Sequence, residues 1–181
     1  MIATIRQQVV VAVLAGLLSH GLAAQGYPAS QRATISQDVA LTTVKISYGR
    51  PVARGRALFG QLVPWDSIWH PGADSATLVS FNHDVVVEGH ALKAGEYSLW
   101  LVPRASKPWT VVFSRAAHTF HKPYPGESED ALRFDVMPVT VSHMETLGIE
   151  FPVVLRDEAV LQIHWGTTGV PVRLKAAYKP D

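Results

Sequence analysis

Apolar residues recur at every second position over short spans of this 181-residue chain, and that period constrains the fold more than any other feature. Residues 43–48 put Val44, Ile46 and Tyr48 on one face and Thr43, Lys45 and Ser47 on the other. Alternation of the same kind predicts strands at 77–81, 85–88, 96–102, 109–114, 131–137, 145–151, 159–165 and 170–177. Asn82-His83-Asp84 reads as the turn of a hairpin between the strands at 77–81 and 85–88, and Gly95 as the close of the next turn. Asp157-Glu158 and Gly166-Thr167-Thr168-Gly169 punctuate the last three strands. No helical period persists for three turns, although residues 56–62 suit one short helical turn. Many short strands at close spacing predict an all-β chain: a single antiparallel sandwich, jelly-roll-like, with two long irregular loops.

The first 24 residues follow a different grammar. A short polar start carrying Arg6 leads into an almost purely apolar run at 9–18, and small residues follow up to Ala24. This is the pattern of a secretory signal peptide, cut after Ala23 or Ala24. The apolar run is well short of the ~20 residues that a membrane-spanning helix needs. The expected organisation is therefore a cleaved leader, residues 1–24, and one β-sandwich domain, residues 25–181, exported to a periplasm or beyond the cell. Such a domain must hold together without disulfides, because the chain has no cysteine. The same absence removes thiolate catalysis and thiolate zinc sites. Lys and Arg number 16 against 15 Asp and Glu, and losing Arg6 leaves 15 of each. A neutral chain does not bind nucleic acid by bulk charge.

Two stretches break the strand pattern, residues 49–75 and 115–130. Structureless connections of that length in compact domains are usually functional or disordered, and their aromatic content argues against disorder. The first holds Arg50, Arg54 and Arg56, with no acidic residue between Asp38 and Asp66. Guanidinium forks suit carboxylate, phosphate or sulfate, so the three form a candidate anion-binding wall. The competing expectation is that each pairs with a carboxylate or lies on solvated surface. Trp65 and Trp69 in the same stretch offer aromatic contacts.

His70 and Asp74 flank the Pro71-Gly72 turn, and imidazole beside carboxylate is the unit of general bases and metal sites. The pair can equally well do no more than satisfy a turn. Strand parity puts His143 and Glu145 on one face with Leu147, Ile149 and Phe151. Glu145 is thus either an acid in a pocket or half of a structural pair with a guanidinium. His118 and His121 are three apart. With His70 and His143 they supply the ligand types of a divalent metal such as zinc, His70, His121 and His143 being the candidate set. No HExxH spacing supports that reading, so no cofactor is implied. No Gly-x-Ser-x-Gly elbow occurs either. His164 and Trp165 read as structural.

The ordered motifs resemble a known family. Tyr48-Gly49-Arg50-Pro51, Arg54-Gly55-Arg56, Phe59-Gly60, Leu62-Val63-Pro64, Trp69 and Gly72-Ala73-Asp74-Ser75-Ala76-Thr77 are similar to the secreted bacterial family catalogued as domain of unknown function 2911. Val87-Glu88-Gly89, Ala94-Gly95-Glu96-Tyr97-Ser98-Leu99, Pro103, Trp109-Thr110-Val111-Val112-Phe113, Leu132-Arg133, Glu145 and Trp165 extend the likeness over nearly all of the mature chain. The resemblance implies a single β-rich extracytoplasmic domain and no particular activity. Where many members carry Trp-Arg-Thr-Gly-Ala-Asn, this chain has Trp69-His70-Pro71-Gly72-Ala73-Asp74, which exchanges a fixed cation for a titratable ring.

Two functions are compatible with these residues. The first is a non-catalytic domain that binds a small ligand, an anion or a carbohydrate, at a rim pocket formed by the two irregular stretches. Arg50, Arg54, Arg56, Trp69, His70, His121 and Glu145 would make the contacts. The second is a hydrolase using His70, Asp74 and Glu145, with or without a metal.

Overall fold

The computed structural model describes residues 29–177. The leader and both expected cleavage positions lie outside the described residues. In chain order the strands are β1 (Gln31–Val39), β2 (Thr42–Arg50), β3 (Thr77–Phe81), β4 (Val85–Val87), β5 (His90–Leu92), β6 (Gly95–Val102), β7 (Trp109–Ser114), β8 (Asp130–Val136), β9 (Val139–Val154) and β10 (Glu158–Ala176). They form two antiparallel sheets, ordered β1-β2-β3-β6-β7-β8 and β5-β4-β10-β9. One 3-10 turn, Glu127–Glu129, is the only helical element among the described residues. No helix among them is long and apolar enough to cross a membrane.

Alternation delivers the core as expected. Val44, Ile46 and Tyr48 of β2, Val79 and Phe81 of β3, and Leu99 and Leu101 of β6 are buried against Leu161, Ile163 and Trp165 of β10. The Tyr48 hydroxyl accepts from the Ile149 N–H at 2.9 Å, which fastens β2 to β9 in the opposite sheet. β6 and β7 are buried on both faces, so their sequences are apolar beyond simple alternation. Tyr97, Leu99, Trp109, Val111 and Phe113 face the sandwich core. Trp100 and Val112 face outward into a second small core with Ala76, Ile68 and Tyr124. The irregular residues 115–129 cover that outer face: Ser98 Oγ donates to Ala116 O, and Tyr124 packs edge-on against Trp100 at 5.3 Å.

Several local expectations change. The strands at 77–81 and 85–88 are not a hairpin, because β3 pairs with β2 and β6 while β4 pairs with β5 and β10. Asn82-His83-Asp84 instead carries the chain from one sheet to the other. Its polar groups pin that crossing, Asn82 Oδ1 accepting from Thr43 N and Asp84 accepting from Ala94 N and Lys93 Nζ. β1 escapes the apolar pattern because it is an edge strand: Ala33 and Ile35 are half-buried on the core, polar Gln37 follows at the same parity, and only Val39 at its end is fully buried. Residues 56–62 form turns, not a helix. Gly60 has φ 86°, and a Cβ there would overlap the Trp65 indole nitrogen.

β10 also does more than its length suggests. Fully extended, its 19 residues would span roughly 60 Å. Yet Ala176 N donates to Asp157 O at 2.8 Å, and Lys175 Nζ reaches Glu158 at 2.9 Å. The ends can meet only if the strand doubles back between them. The place is the Gly166-Thr167-Thr168-Gly169 run, where Gly166 has φ 58° and the pairing with β9 slips register.

The first irregular stretch, leaving β2 at Pro51, closes the end of the sandwich. It bridges β9 through Val52 and Thr146, and β6 through Trp69 and Leu101. At its centre the Phe59 ring meets Trp65, Trp69, Trp109 and Trp165 at centroid distances of 6.3, 6.0, 4.7 and 6.4 Å. Trp109 belongs to one sheet and Trp165 to the other, so a single ring from the loop joins both. Phe59→Ala is expected to lower stability by about 3 kcal/mol in urea unfolding. Leu62→Ala, at a position 41% exposed, should change it by less than about 0.5 kcal/mol. Equal midpoints for the two variants would show that the aromatic plug does not hold the sheets.

Candidate functional site: a cleft between the arginine loop and β9–β10

The backbone of residues 51–54 runs alongside β9. Leu147 N donates to Pro51 O at 2.9 Å, and Ala53 N to Glu145 O at 2.8 Å. Arg54 and Gly55 then both take positive φ, 53° and 68°, so the chain turns sharply at its tip. That turn aims the Arg54 N–H at the Glu145 carboxylate, which accepts it at 2.6 Å. Glu145 also bonds His143 Nε2 at 3.1 Å, as their shared strand face predicts. The histidine hydrogen bond, then the Arg54 N–H, and then the charges of His143 and Arg56 hold the Glu145 carboxyl below the usual glutamate range. Glu145 is exposed and lies at the mouth of a concavity.

The arginines do not behave as ordinary surface ion pairs. Arg50 Nε donates to Leu147 O at 3.0 Å and fastens the start of the loop to β9. Arg56 is held by its own turn, Nε to Ala53 O at 2.8 Å and Nη2 to Val52 O at 2.6 Å. Two of its five N–H groups are therefore occupied, and the other three make no hydrogen bond among the described residues. Neither Arg54 nor Arg56 pairs with a carboxylate among the described residues. The expected Arg–Glu pair at Glu145 is replaced by backbone N–H and imidazole.

Two hollows meet here. One, of about 310 Å³, is lined by Arg54, Arg56, Leu62, Trp69, Gly72 and Trp165 among others. The other, of about 470 Å³, is lined by Arg56, Phe59, Trp65, His143, Glu145, Trp165, Thr167 and Thr168. They share Arg56 and Trp165, and each falls in the size range of small-molecule sites. Trp165 stacks on Trp69 at 6.0 Å and donates its indole N–H to Glu145 O at 3.2 Å, so the aromatic wall and the acid are fixed to each other. Trp65 is 37% exposed and presents ring surface to the cleft. Thr167 and Thr168 were hidden in sequence because they read only as turn residues. Phe59 was visible as a family motif without a role.

The second irregular stretch lines neither hollow, so the rim pocket is built by the first stretch with β9 and β10. The two stretches meet elsewhere. Ser75 bridges Phe120, and the His70 and His121 rings lie 6.2 Å apart. His70 is buried edge-on to Trp100 at 5.6 Å, and its Nδ1 has no hydrogen-bond partner. Asp74 is exposed at φ 62° and shares no hydrogen bond with it. His118 reaches Glu96 at 2.8 Å on the surface. The three candidate metal histidines are thus divided, His70 with His121 and His143 with Glu145. No group of three or more His, Asp or Glu among the described residues could hold a metal ion. His164 is buried and bonds Ser142 O and Glu150, a structural role that its place beside Trp165 predicts.

A third hollow, of about 430 Å³, lies on β4, β9 and β10 and is lined by Val86, Val153, Leu155 and Val160. Its charged residues are already matched, Arg173 with Glu88 and Lys175 with Glu158. It therefore offers apolar area without an unmatched polar group.

Burial, and then the positive potential of His121 and Arg32, lower the His70 pKa from 6.5 to about 4. The folded state therefore binds this proton less readily than the unfolded chain. Stability from neutral His70 is complete above pH 6.5 and falls as pH drops from 6.5 toward 4. The loss approaches about 3 kcal/mol at the acid end. Urea unfolding across that range should show the slope in the wild type and a flatter profile in His70→Gln. Identical pH profiles would refute the assignment.

Neither a search of curated proteins nor one of solved structures finds a match. The family model described as Protein of unknown function (DUF2911) matches residues 30–174, a span that runs from β1 into β10 and includes the arginine loop, and the chain belongs to that family.

Proposed function

We propose that the mature chain is an exported, non-catalytic domain that binds a small ligand bearing an anion, hydroxyl groups or both in the arginine–tryptophan cleft. One observation carries this reading: two adjoining hollows share Arg56, which forms no ion pair among the described residues, and Trp165, which anchors an aromatic wall. Fixed donors beside apolar ring surface are the usual composition of a small-molecule site. The arginine is also pre-positioned by its own turn, so binding does not have to order a free side chain. The leader-like residues 1–24 support export. The alternative, a hydrolase, draws on the His143–Glu145 bond in the same cleft, but its other pair, His70 and Asp74, shares no hydrogen bond.

Calorimetry and tryptophan fluorescence on the untagged mature chain test this directly. The probes are sulfate, acetate, galactose and galacturonate. At least one is expected to bind, with affinity reduced about tenfold or more in Arg56→Ala, the scale of one hydrogen bond to a charged group. Absence of heat and of fluorescence change with every probe at millimolar concentration would overturn the reading. So would an Arg56→Ala variant that binds as tightly as the wild type.

A further inference from the structure

We infer that the cleft selects hydroxylated carboxylates, sugars of the uronic- or aldonic-acid type, with Arg56 receiving the carboxylate and Glu145 acting as the specificity-determining residue that receives the neighbouring hydroxyls. The inference rests on the reading of the cleft as a binding site and sharpens it to a ligand class.

A site for a bare anion would not hold a second anion beside the guanidinium, yet Arg56 and Glu145 line the same hollow. They are close enough for the Arg56 charge to act on the Glu145 carboxyl, and they form no ion pair. Glu145 is kept ionised by His143 and the Arg54 N–H, so it remains an acceptor and not a donor. A bare anion at Arg56 therefore meets repulsion from Glu145. A neutral sugar satisfies Glu145 but leaves the guanidinium without a counter-charge. A molecule carrying both groups satisfies both residues at once.

The surroundings fit that division. Thr167 and Thr168, brought to the cleft by the doubling-back of β10, add hydroxyls that both donate and accept to the hollow that Glu145 lines. Trp65 supplies exposed ring surface for the apolar face of a sugar, and the smaller hollow continues past Arg56 along Trp69 and Trp165. Acceptor, donors and aromatic surface thus flank one guanidinium. Discrimination of this kind depends on leaving a buried or fixed polar group unmatched by the wrong ligand.

Calorimetry with galacturonate, glucuronate and gluconate, set against galactose and acetate, tests the inference in wild type, Glu145→Gln and Thr167→Ala. In the wild type at least one sugar acid should bind about tenfold more tightly than both galactose and acetate. Glu145→Gln keeps an oxygen that can accept the Arg54 N–H, and circular dichroism melting checks that it folds. It should weaken the sugar acid about tenfold while acetate affinity rises, so the two ligands move in opposite directions. Thr167→Ala should weaken the sugar acid and leave acetate unchanged. Galactose or acetate matching the best sugar acid in the wild type would overturn the inference while leaving a binding cleft in place. A uniform loss for all ligands in Glu145→Gln would do the same. If no probe binds the wild type at all, the cleft reading itself fails.

Discussion

The packing of Phe59 between tryptophans from both sheets is the interaction on which the rest of this structure depends. A cysteine-free sandwich has no covalent cross-link between its sheets, so apolar contact must hold them. Within the interior, β2 packs against β9 and β10. At the open end the loop supplies what the strands lack, inserting one ring that touches Trp109 on one sheet and Trp165 on the other. The same contacts place the walls of the cleft. Trp165 is held against Trp69, and its indole N–H is tied to the carbonyl of Glu145. The aromatic plug and the polar site are therefore one assembly, and a change in the plug displaces the chemistry.

The two irregular stretches have different physical tasks. The first closes an end of the sandwich and forms the cleft. The second covers the outer face of β6 and β7, where Trp100 and Val112 would otherwise be exposed. Where the two meet, His70 is buried with an unmatched Nδ1 beside Trp100 and near His121. Burial of an imidazole without a partner is tolerable only while the ring is neutral. Its position at the junction makes it a weak point toward acid, remote in role from the cleft.

Much of this architecture was legible in the sequence because it follows from side-chain parity. Val44, Ile46 and Tyr48, or Leu161, Ile163 and Trp165, face the core as strict alternation requires. The same rule correctly set His143 and Glu145 on one face. Parity says nothing, however, about which strands pair. Asn82-His83-Asp84 has the composition of a hairpin turn but connects two sheets, because a polar residue that satisfies a turn satisfies a crossing equally well. The cleft was only half visible. Arg54, Arg56, Trp65 and Trp69 stood out by type and proximity. Thr167 and Thr168 did not, since their contribution depends on β10 folding back on itself. The pairing of the candidate histidines was likewise decided by loop paths that local patterns do not encode.

Nuclear magnetic resonance of the indole N–H groups, followed during titration with galacturonate, addresses the central claim most directly. Four of the five tryptophans surround Phe59 at the cleft end, and the fifth, Trp100, lies apart on the outer sheet face. Binding in the cleft predicts that the Trp65 and Trp165 signals shift in proportion to occupancy, while Trp100, covered by the second stretch on the outer sheet face, stays in place. A shift confined to Trp100, or a saturable binding isotherm that leaves both Trp65 and Trp165 unmoved, would contradict it.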